Sequence, residues 1–121
     1  MRYFWYTKRI NKHMISFDDV KKLDIRIGTI KSAQKVEGAD RLLRFLVDVG
    51  EEVERSIVSG VAEHYPEAEA LVGKQVPVVM NLEPRTIRGV ESQGMILYAV
   101  GEDFLTTVEP GKEVPAGTPV Q

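Results

Sequence analysis

The side chains best suited to chemistry gather in one stretch, "NLEPRTIRGVESQGM", from Asn81 to Met95. It carries Asn81, Arg85, Arg88, Ser92, Gln93 and two glycines between the apolar runs "QVPVVMNL" and "MILYAV". A tight hairpin needs only about two to five connecting residues. A connection this long and polar therefore has another use. Guanidinium forks suit phosphates, and hydroxyl and amide groups suit hydrogen bonding to a folded partner.

Bond-breaking chemistry finds little support. His13 and His64 are the only histidines, far apart and without partners at ligand spacing, so no metal site is expected. Ser59 and Ser92 have no neighbouring base. There is no nucleophile elbow, Walker loop or dinucleotide fingerprint, so neither a catalytic residue nor a cofactor is expected. The absence of cysteine removes disulfides and thiolate ligands. No apolar run is long enough to span a membrane, and the N-terminus lacks a signal peptide's apolar core. A cytoplasmic address is expected.

The net charge of −2 divides unevenly. Residues 1–13 carry +4, and residues 14–121, with 18 acids against 12 bases, carry −6. A general nucleic-acid sponge is not built this way. Any contact with a polyanion must be a local patch. Arg26, Arg41, Arg44, Arg55, Arg85 and Arg88 fall on the expected first three strands or the loops beside them, and many acids lie on the helix or toward the C-terminus. These arginines form such a patch, or they only solvate the outer surface of the strands.

The elements that position these residues can be read in order. Residues 1–13 have no clean period and are expected to be a flexible basic and aromatic tail, without function or as an arm adding non-specific affinity. The ordered domain is expected over 14–121. Ser16 and Asp19 predict a capping box, Ile15 and Val20 a hydrophobic staple, and residues 17–22 a short helix that must pack on something. "LDIRIGTIKSAQKV" alternates until the phase slips at Gly28, which suggests a bulged, bent first strand. Leu43, Phe45, Val47 and Val49 share one face of a second strand, and "VERSIVSG" is a third. A helix is expected over about 66–72, then two more strands, then short β-structure broken by Pro and Gly. The pattern predicts an all-β domain: a five-stranded OB-fold Greek-key barrel with short helices and extra β-structure at the C-terminus. In that fold the loop joining strands four and five borders the ligand face. Phe45, Tyr98 and Phe104 lie in apolar contexts and read as core. A surface with few free rings but several arginines suits folded RNA, which is recognised by shape, phosphates and 2′-hydroxyls.

The strings "DIRIG", "GADRLL", "VDVG", "RSIVSGV", "LVGKQV" and "NLEPRTIRGVESQGMIL" occur in order over residues 17–121. Together they resemble the tRNA-binding domain found at the C-terminus of many methionyl-tRNA synthetases and in free-standing dimeric tRNA-binding proteins. The resemblance implies non-catalytic, structure-selective tRNA binding, as a homodimer or as an accessory or β-subunit to a methionyl-tRNA synthetase catalytic subunit. Carried onto this sequence, it implies a binding surface of Asn81, Arg88, Ser92 and Met95, with Arg41 and Arg85 on phosphates. Arg55 and Ser59 match "R-x-I-V-S-G". Two positions depart from the family: Glu83 replaces the commoner Lys of "NLKP", and Glu37-Gly38 replaces His-Pro. Both lower the positive potential beside the loop. The alternative is a CsaA-type peptide-binding chaperone of the same fold.

Overall fold

The structure, a computed structural model, describes residues 13–121. The tail expected over 1–13 lies outside the described residues except for His13. Among the described residues the first element is a short helix, α1 (Phe17–Lys21). Ser16 Oγ accepts from the Asp19 N–H at 3.1 Å, and the Asp19 carboxylate accepts from the Ser16 N–H at 3.2 Å, which completes the expected capping box. The helix buries no side chain, and Ile15, Phe17 and Val20 are exposed. The described residues thus supply the cap but not the packing that so short a helix needs.

Ten strands follow: β1 (Ile25–Val36), β2 (Ala39–Asp48), β3 (Arg55–Ser59), β4 (Gln75–Val79), β5 (Arg85–Ile87), β6 (Val90–Ser92), β7 (Met95–Ile96), β8 (Tyr98–Val100), β9 (Leu105–Thr107) and β10 (Pro119–Val120). The main sheet runs β3-β2-β1-β4-β7, with β10 added beside the start of β1. The protein is mostly β, as expected. Its hydrogen-bonded path is open, however: no ladder joins β3 to β7. That gap is bridged by other means, described below.

The phase slip in β1 is real, but its cause differs from the one expected. Pairing with β4 runs unbroken through Gly28, and the bulge lies beyond it, between Ile30 and Ser32. Gly28 is required for a different reason. A Cβ there would lie 2.5 Å from Val47 Cγ1 and 3.0 Å from Val49 Cγ1. The long strand crosses the core at this point, and only a bare backbone fits. The core is filled by Ile30, Leu43, Phe45, Val47, Ile57, Val76 and Val78, with the alternation in β2 as read from the sequence.

The helix expected over 66–72 is a 3₁₀ turn, Ala68–Leu71, preceded by a second 3₁₀ turn, Ala62–His64, that was not expected. Between Pro66 and Gly73 there is room for little more than one turn. The 3₁₀ repeat puts Ala68 and Leu71 on one side, and both are buried. The run "MILYAV" is also not one strand. It breaks at Leu97, so that β7 joins the main sheet while β8 pairs with β9 in a separate two-stranded sheet. Phe104, expected in the core, is 44% exposed and lies over Gly101.

Candidate nucleic-acid interface

The stretch from Asn81 to Met95 is a folded arm rather than an open loop. β5 and β6 pair from Arg85↔Ser92 to Ile87↔Val90, and Arg88-Gly89 makes the two-residue turn. Both turn residues have positive φ, 52° at Arg88 and 78° at Gly89, as a twisted two-residue hairpin requires. Gly adopts this readily, whereas Arg there carries about 1–2 kcal/mol of strain. The hairpin escaped the sequence pattern because its turn is Arg-Gly, not Asn-Gly or Asp-Gly.

The eight residues singled out from the sequence separate into two groups. Arg85 and Arg88 are exposed on the arm, and Met95 is 46% exposed where β7 begins. Arg41 is also exposed, and its Nε lies 3.6 Å from a Glu63 carboxylate oxygen, a weak surface pair. These four can meet a ligand without unfolding anything.

The other four hold the frame. The Asn81 amide donates to Lys22 O at 2.6 Å, and its Oδ1 accepts from the Asp24 N–H at 3.0 Å. Ser92 is buried; its Oγ accepts from the Val58 N–H at 2.9 Å and donates to Gly94 O at 3.3 Å. Ser59 Oγ accepts from the Tyr98 hydroxyl at 3.0 Å. Arg55, with 23% of its side chain exposed, donates Nε and Nη2 to the Glu51 carboxylate at 2.9 Å each. Its Nη1 donates to Met80 O at 2.8 Å and to Gln93 O at 3.0 Å. The Arg55 hydrogen bond holds the Glu51 carboxyl below the usual carboxylate range, and the guanidinium is raised in turn.

These bonds explain how the sheet manages its open side. Ser92 and Gln93 cross the gap to β3: Gln93 N–H donates to Ser56 O at 2.8 Å, and Gln93 Oε1 accepts from the Ser56 N–H at 3.1 Å. Ser56 Oγ donates to Glu91 O and accepts from Arg44 Nε, both at 3.0 Å. One backbone bond and several side-chain bonds replace a ladder. Gly94 has φ 142°, and a Cβ there would lie 2.9 Å from Val79 O. Gln93 and Gly94 were seen in the sequence only as parts of a polar loop; their bonding to β3 depends on long-range register that local pattern does not carry.

Beneath the arm lies a groove of about 800 Å³ between β3, β7 and the hairpin. Val58, Ser59, Arg85, Ile87, Met95 and Tyr98 contribute to its walls. Burial pushes the Tyr98 phenol up to about 12, partly offset by its hydrogen bond to Ser59. Arg26 and Arg44, noted as basic surface, are engaged by Asp24 and Ser56. On the arm the two arginines, Arg85 and Arg88, stand exposed alongside two acids, Glu91 on β6 and Glu83 at its root. Among the described residues no group of three His, Asp or Glu side chains could hold a metal ion, and no helix is long and apolar enough to cross a membrane.

The fold and this site define a small β-domain that presents a two-stranded arm with two exposed arginines over a groove. The chain belongs to the family described as putative tRNA binding domain, whose model matches residues 25–119. It is 53% identical over 108 residues to a methionine–tRNA ligase of Bacteroides fragilis, a match covering 88% of this chain and 16% of that protein. The chain thus spans about a sixth of the length of the curated relatives it matches. Among solved structures it is similar to a MetRS-related protein from Pyrococcus horikoshii, with TM-score 0.84 and 37% identity over 91% of this chain and 100% of that one. It is also similar to the chaperone CsaA of Bacillus anthracis, with TM-score 0.81 and 29% identity over 90% of this chain and 100% of that one.

Proposed function

We propose that this domain binds folded tRNA and catalyses nothing itself. It would serve in the cytoplasm, free-standing or as an accessory to a methionyl-tRNA synthetase catalytic subunit. The observation that carries this is the arm. In a chain of the tRNA-binding family whose residues 14–121 are net acidic, Arg85 and Arg88 stand exposed on one projecting hairpin. Arg88 and Met95 meet the RNA from the arm and its base, Arg41 and Arg85 serve phosphates, and Asn81, Arg55, Ser59 and Ser92 hold the surface in shape. The strand path β3-β2-β1-β4-β7, with its last gap crossed by one backbone bond and several side-chain bonds, supports reading the sheet as an OB barrel.

A homodimer is part of the same proposal. Phe17 and Val20 on α1, and Phe104, Val108 and Val120 in the C-terminal segment, are exposed in one chain, and an isologous interface would cover them. Light scattering at micromolar concentration should give twice the chain mass; a monomer would remove this part.

Binding is tested by filter assay against folded tRNA and an unstructured RNA of equal length. Folded tRNA should bind better, with a log–log salt slope of about −2 to −4, because a local patch neutralises few phosphates. Equal binding of both RNAs would contradict recognition by shape. The likeness to CsaA supports a second reading, a peptide-binding chaperone using the groove under the arm. Recovery of unfolded peptides but no RNA from a cell extract would favour it.

A further inference from the structure

The arm stands between two hollows. On one side is the groove of about 800 Å³; on the other is a hollow of about 370 Å³ beside Glu51, Val53 and Arg55. Leu82 and Pro84, at the arm's root, line both. With open space on each side, the arm's angle rests on the contact of β6 with β3 and on the hydrogen bonds at its base.

One guanidinium holds both roots. Met80 is the last residue before the arm and Gln93 the first after β6, and Arg55 Nη1 donates to both carbonyls. Nε and Nη2 are taken by the Glu51 carboxylate in a two-pronged bond. Four of the five N–H donors of the side chain are therefore engaged inside the protein. We propose that Arg55, oriented by Glu51, is a positioning residue that sets the angle of the β5–β6 arm and does not itself contact RNA. This rests on the tRNA-binding function above and adds to it the device that presents the arm. A planar fork is needed, because two carbonyls and a carboxylate must be met in one plane; a lysine ammonium cannot span them.

The test uses the full chain and three variants, Glu51→Gln, Arg55→Lys and Arg55→Ala. Hydrogen exchange compares the amides of the arm with those of β1 and β2, and filter binding measures affinity for folded tRNA. Glu51→Gln is decisive because its two possible effects have opposite signs. Removing a negative charge near a polyanion site should strengthen binding if only charge matters. If Glu51 orients the clamp, the arm should exchange faster while β1 and β2 do not. Affinity should then fall about tenfold if the arm holds its binding position a tenth of the time. Arg55→Lys should behave like Arg55→Ala. The proposal is overturned if Glu51→Gln binds as well as or better than the wild type, if Arg55→Lys keeps wild-type affinity as a phosphate contact would, or if arm exchange does not change. If the wild type binds no tRNA, the function proposed above fails, and the exchange of the arm in Glu51→Gln alone decides the clamp.

Discussion

At the tip of the arm, Arg88 sits exposed in a left-handed turn. At its base, Arg55 is mostly covered and bonded to a carboxylate and two carbonyls. Ser92 is buried and bonded to backbone, and Asn81, though exposed, is also engaged by backbone, whereas Arg85 and Met95 are exposed. Residue types that look alike along the chain thus serve two purposes at the two ends of one hairpin. The base is a frame whose polar groups are satisfied within the protein, and the tip is a surface whose polar groups await a partner. Changes at the base should appear first in stability, and changes at the tip first in binding.

The largest expected effect is at the base. Gly94→Ala puts a Cβ against Val79 O at a backbone angle that other residues rarely adopt. It should cost about 2–4 kcal/mol of folding stability, strain and overpacking together. Urea denaturation measures this, and a near-normal midpoint would show that the base can yield. The next test concerns the wall of the groove. Because the Tyr98 phenol is raised to about 12, the stability it contributes is complete below the ordinary phenol range and is lost as pH rises through about 12. Alkaline titration of phenolate absorbance should show a late-titrating phenol that is lost in Tyr98→Phe.

At the tip the signs should separate. Arg88→Gly relieves the left-handed strain and should raise stability by up to about 1 kcal/mol. It also removes a charge, and should weaken tRNA binding by about 1–2 kcal/mol. A variant that melts higher yet binds worse would establish Arg88 as surface; one that melts lower would move it into the frame. Glu83→Lys should give the smallest effect. It reverses a charge at the arm's root and should tighten binding modestly, steepening the salt slope by about one phosphate contact. An unchanged slope would place the RNA away from the root.

Much of the scaffold was legible because its signals are local. The capping box of Ser16 and Asp19 and the alternation Leu43, Phe45, Val47 depend on neighbours a few residues away. The Gly28 phase slip was visible, but its cause, the approach of Val47 and Val49, belongs to a different strand. The site was located and not resolved. Asn81 bonds residues 57 and 59 positions earlier, and Ser92 bonds Val58. No local pattern distinguishes a serine that closes a sheet from one that meets a ligand. The hairpin was hidden by a turn residue that the backbone tolerates only at a cost.

Asn81 also gives the molecule a load path. Its amide grips residues 22 and 24, and the Met80 N–H donates to Asp24 O at 2.7 Å. Tension applied from the N-terminal side would reach the sheet at these bonds, beside Met80, whose carbonyl Arg55 holds. A pull on a tether attached ahead of α1 would therefore be felt at the root of the arm before it was felt in the core.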